Sequence, residues 1–81
     1  MEYKLFFTEA KVAYLKEHGY TNKDLHKGWI AIIADTIEQA RRYAFEKYFK
    51  FWDCLYSADQ IEDYEHDLSN YPLGEIERIV L

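Results

Sequence analysis

The chain is poor in the residues that staple, break or punctuate a small protein. It holds one cysteine, one proline and three glycines in 81 residues. A single cysteine, Cys54, excludes an intramolecular disulfide, so stability at this size has to come from a packed core. Glycines at 19, 28 and 74 are too few and too scattered for a phosphate-binding loop. So little glycine and proline also argues against a disordered or loop-rich chain. There is no CxxC, no HExxH and no apolar run near the ~18–20 residues of a membrane span. The stretch MEYKLFFTEAK lacks the apolar run and cleavage site of a signal peptide. These absences point to one domain, soluble in a reducing cytoplasm, with no cofactor and no recognisable catalytic site. Ser57, His18 and Asp24 can be written as a triad only in the sense that almost any chain allows one. Cys54 sits in WDCLY, beside Asp53 rather than a cation, which suits a small buried hydrophobe better than a reactive thiol.

Aromatic residues are abundant, at 19% of the chain. They crowd into ARRYAFEKYFKFWDCLY, residues 40–56, where seven of seventeen side chains carry rings. A core, a stacking platform and a protein-binding surface would each use them. The pattern of the whole chain favours a core for most. YKLFFT alternates with period two and reads as a strand over residues 3–8. Thr8, Glu9 and Gly19 mark the start and stop of a helix, with Val12 and Leu15 facing inward, although a second hairpin strand also fits residues 9–18. Residues 21–28 read as a loop with room for one helical turn. WIAIIA, residues 29–34, is an apolar β-branched run suited to a central strand. TIEQ then forms a capping-box pattern. The helix it opens places Ile37, Ala40, Ala44, Tyr48 and Phe51 on one face, with Phe45 and Phe49 extending that face into the core. Arg41 falls inside the same arc. Its stem would lie along the sheet with the head in solvent, or its guanidinium would pair with Asp35 or Glu38.

The helix is expected to stop near Lys50, with a strand over 52–57. A further helix over 58–68 follows from the Ser57/Gln60 capping pattern, then a turn at SNYPLG and a terminal strand in GEIERIVL. The order is β-α-β-α-β-α-β. This predicts an α+β domain with about four strands, mainly antiparallel, and helices mainly on one face.

Charge is split along the chain. Residues 1–52 hold nine Lys/Arg against seven Asp/Glu, whereas residues 53–81 hold eight Asp/Glu against Arg78 alone. Asp59, Asp63 and His66 share a helical face at chelating spacing, but a solvated acidic face is the simpler reading and no metal ligand is assigned. An acidic stripe of this kind has the charge pattern of a phosphate backbone and would be steered onto a basic surface. The residues expected to contact a partner are therefore Asp59, Glu62, Asp63, Glu65 and Asp67, with Tyr64, Tyr71 and Tyr14 as aromatic anchors. An alternative is nucleic-acid binding through Lys4, Lys11, Lys16, Lys23 and Lys27 with Tyr14 and Tyr20, set against an acidic chain overall. A third is self-association into a homodimer that covers exposed rings.

WIAIIADTIEQARRYAFEKYF, followed by CLYS and LGEIERI, resembles small proteins encoded by phages and mobile elements, over roughly residues 29–81. Some of these are anti-defence inhibitors, including anti-CRISPR proteins, that block a host complex by binding it. The resemblance implies a binding protein rather than an enzyme, acting in the cytoplasm of a bacterial host. Its partner would be a host protein or ribonucleoprotein complex with a basic surface, such as a CRISPR effector. It brings no catalytic residues.

Overall fold

The computed structural model describes residues 1–57 and 70–81. Strand β1 (Glu2–Phe6) is followed by helix α1 (Glu9–Glu17), a 3-10 turn (Leu25–Lys27), strand β2 (Gly28–Ile33), helix α2 (Ile37–Tyr48), strand β3 (Cys54–Ser57) and strand β4 (Gly74–Val80). The strands form one mixed sheet in the order β3-β1-β2-β4. β1 pairs antiparallel with β2 and with β3, and β2 pairs parallel with β4. This is the α+β architecture read from the sequence. The helix expected over 58–68 lies outside the described residues.

Both helix boundaries are written locally. The Thr8 hydroxyl accepts a hydrogen bond from the Lys11 amide at 3.3 Å, and Gly19 takes φ 77 just past the end of α1. Residues 9–17 are therefore helix, and the hairpin alternative is gone. Thr36 opens α2 with a complete capping box. The Gln39 amide donates to the Thr36 hydroxyl at 3.3 Å, and the Gln39 carbonyl oxygen accepts from the Thr36 amide at 3.4 Å.

One sheet face carries α1 and α2. Tyr3 and Leu5 of β1 and Ile30 and Ile32 of β2 alternate onto it. There they meet Val12 and Leu15 of α1 and Ala40, Ala44 and Tyr48 of α2. Leu55, Ile76 and Ile79 extend the layer towards the two edges. Small side chains at 40 and 44 let α2 lie close on the sheet. They also fix its buried stripe, which runs through Ala40, Ala44 and Tyr48 and leans towards Tyr43.

That lean overturns one expectation. Phe45 and Phe49 were read as core, but each is 51% exposed. At about 100° per residue, Phe45 sits roughly a quarter-turn or more from the centre of the stripe. Phe49 has already left the helix. Arg41 is likewise on the exposed side of α2. Phe51 reaches the flank of the core through a turn, not through the helix.

The opposite sheet face has its own aromatic cluster. Phe6 is fully buried, with ring centroids of Tyr71 at 4.9 Å, Trp29 at 6.0 Å and Tyr56 at 6.2 Å. Lys4 Nζ lies 4.4 Å from the Trp29 ring centroid.

At the start of β2, Gly28 is pressed against Gly74. A Cβ at position 28 would meet the Gly74 carbonyl oxygen at 2.2 Å and the Ile76 side chain at 2.8 Å. The β2–β4 register shifts just beyond this contact, between Trp29 and Ile30. No helix among the described residues is long and apolar enough to cross a membrane.

Candidate protein interface

Of the eight residues expected to contact a partner, Asp59, Glu62, Asp63, Tyr64, Glu65 and Asp67 lie outside the described residues. The other two are held on opposite sides of the sheet. Tyr71 packs against Phe6 on the face opposite α1 and α2, and burial raises its phenol above the usual range. Tyr14 stands on α1. The described part of the acidic third is partly neutralised. Arg78 bonds Glu75 at 2.8 Å and Glu2 at 3.0 Å, and Lys23 bonds Glu77 at 2.6 Å.

The amino-terminal lysines do not gather into one patch. Lys16 and Lys27 both pair with Asp24, and the hydrogen bond from Lys16 holds that carboxyl below its usual range. Lys23 is taken by Glu77, Lys11 Nζ donates to the Trp52 carbonyl at 2.9 Å, and Lys4 lies on the far face over Trp29. A polar cleft beside α1 is lined by Glu9, Lys16, Asp24, His26 and Lys27. Its carboxylate at position 24 is already shared by two lysines. Burial raises the Cys54 thiol above its usual range. Among the described residues no group of three His, Cys, Asp or Glu side chains is placed to hold a metal ion.

The structure gathers a different surface. Five rings form a continuous ladder from α1 to the end of α2. His18 and Tyr14 have centroids 4.1 Å apart, and Tyr14 stacks on Phe51 at 3.9 Å with planes 20° apart. Phe51 neighbours Phe49 at 6.2 Å, and Phe49 meets Phe45 at 5.0 Å and 61°. Tyr14 is 38% exposed, and Phe45 and Phe49 show half their surface to water. Each half-exposed phenyl forgoes roughly half of the ~1.5–3 kcal/mol that full burial contributes.

Phe49 carries the sharpest feature of this ridge. Its backbone sits at φ 54, ψ −123, a conformation that favours glycine and costs a side-chain residue about 1–3 kcal/mol. The cause is a tight turn. Phe49 N still bonds Phe45 O at 2.7 Å, and Phe51 N closes on Tyr48 O at 3.0 Å. This is the geometry of a type II′ turn with phenylalanine where glycine is usual. Neighbours hold it in place. Trp52 Nε1 donates to Phe49 O at 2.9 Å, Lys11 Nζ grips Trp52 O, and Asp53 N bonds Phe6 O at 2.8 Å. The chain therefore turns from helix to strand without glycine or proline and holds an apolar ring in solvent.

Two open grooves flank the ladder. One, of about 470 Å³, is lined by Glu38, Arg41, Arg42, Phe45 and Glu46. The other, of about 440 Å³, is lined by Ala10, Lys11, Tyr14, Lys50 and Phe51. Sequence reasoning singled out Tyr14 but assigned Phe45 and Phe49 to the core. The available signal was the run of rings past the helix exit with no glycine to make the turn.

Comparison with protein-family models, curated proteins and solved structures finds no match to this chain. The fold and the ridge therefore stand on their own geometry.

Proposed function

We propose that this chain is a small binding protein of the inhibitor or accessory kind, which docks onto a partner protein through the ladder of Tyr14, Phe51, Phe49 and Phe45. The observation that carries this reading is Phe49. Its ring lies half in water on a backbone that glycine would occupy at lower cost. Strain kept at an exposed apolar side chain is the usual mark of a site where function outweighs stability. Aromatic side chains at the centre of an interface supply most of its binding energy.

The partner class follows from the resemblance: a host protein or ribonucleoprotein complex, with a CRISPR effector as one example. Asp59, Glu62, Asp63, Glu65 and Asp67 form a second, electrostatic contact in this reading, supported by the charge split along the chain. Binding by occlusion asks for no catalytic group.

The test compares wild-type protein with Phe49→Gly as baits in nuclease-treated bacterial lysate, and then measures affinity with the purified captured protein. Loss of binding by about tenfold or more in Phe49→Gly, with the fold intact by circular dichroism, is the expected result. Equal capture by both baits would remove the ridge from the interface. Charge reversal at Asp59, Glu62 and Asp63 should slow association and leave folding unchanged.

A further inference from the structure

We infer that the ridge takes an acidic segment of a partner protein, anchored by apolar side chains laid over Phe45 and Phe49 and held by carboxylates on either side; this rests on the binding role proposed for the ridge. The argument is one of charge placement. Five ion pairs within 4 Å join described residues, and they use Lys16, Lys23, Lys27 and Arg78. None uses Arg41, Arg42, Lys11 or Lys50. Those four cations line the two grooves beside the ladder, two in each. Lys50 Nζ lies 5.9 Å from the Phe49 ring centroid, and Lys11 Nζ is satisfied only by a carbonyl. Cations without carboxylate partners among the described residues thus bracket an exposed apolar strip, on a chain whose net charge is −5. A carboxylate reaching into either groove would meet an unpaired guanidinium or ammonium, while an apolar side chain next to it covers the phenyl rings.

A single-stranded nucleic acid would bring the same negative charge, but it fits the ridge less well. Stacking of bases needs free ring faces. Tyr14 is sandwiched between His18 and Phe51, and Phe45 and Phe49 meet each other at a steep angle. Glu38 and Glu46 share the Arg41/Arg42 groove and oppose either acidic ligand alike, so the ring geometry decides between them.

The experiment selects a random-peptide display library on the full chain and then measures the enriched peptides by fluorescence anisotropy, with oligo(dT) as a competing probe. The expected peptides combine several Asp or Glu with apolar residues. They should lose affinity about tenfold in Phe49→Gly and about tenfold in R41E/R42E, and weaken as salt rises. Neutral or basic peptides that still depend on Phe49 would overturn the acidic chemistry and leave the binding role standing. Peptides indifferent to Phe49→Gly, or no enrichment at all, would remove both. Tighter binding of oligo(dT) than of any peptide would replace the partner with a nucleic acid. Circular dichroism of both variants separates these outcomes from misfolding.

Discussion

The two aromatic clusters of this molecule use the same residue types to opposite ends. On the sheet face opposite α1 and α2, Phe6 is fully buried, with Trp29, Tyr56 and Tyr71 within about 6 Å. On the helix side, Phe45 and Phe49 touch each other and stay half in water. Ring count alone does not separate core from interface. What separates them is backbone position. Phe6 alternates with Leu5 on a central strand, so both faces of the sheet close around that pair. Phe45 flanks the buried stripe of α2, and Phe49 stands on a turn that points it outward.

The sharpest way to expose this contrast is to truncate one ring from each cluster and follow urea unfolding. Phe6→Ala should cost about 3–5 kcal/mol, enough to leave so small a domain barely folded. Phe49→Gly should do the reverse. It removes the left-handed strain, against the added entropy of the unfolded chain and the lost half-burial of the ring, for a net gain of at most about 1 kcal/mol. A loss of stability in Phe49→Gly would mean that the ring is structural after all. Phe45→Ser should cost about 1 kcal/mol, the share of burial that its half-covered ring retains.

High pH tests the buried tyrosines. Burial raises the phenols of Tyr48 and Tyr71 above the ordinary value of 10.0. The neutral form is thus favoured by the fold, and its contribution is fully present below pH 10. As pH rises further the unfolded chain loses these protons first, so stability falls. Phenolate absorbance should show Tyr48 and Tyr71 titrating late, and the urea midpoint should drop as pH rises above 10. At the acid end the effect is small. Asp24 is held charged by Lys16, so its contribution is present above the ordinary carboxylate range and lost as pH falls below it, but the pair is solvent-screened.

Much of the fold was legible in local chemistry. Thr8, Gly19, Thr36 and Gln39 marked both helices, and the β-branched run WIAII marked the central strand. Two features escaped. The position of the buried stripe on α2 depends on alanines 40 and 44 packing closely, and an angular count from Ile37 does not weigh how near each side chain lets the helix approach. The turn at Phe49 uses a conformation that residue type argues against, so no local rule proposes it. The candidate site was legible only at Tyr14, because the rest of the ridge is made by that turn.

The parallel pairing of β2 with β4 has a consequence for synthesis. The two strands meet through Gly28 and Gly74, which are far apart in the order of translation. Until Gly74–Val80 has been made, GWIAII has a neighbour on one side only. That leaves an apolar, β-branched row of backbone donors and acceptors open to any passing strand. A nascent chain halted before residue 74 should therefore be recovered in aggregates, while release of the last strand closes the sheet.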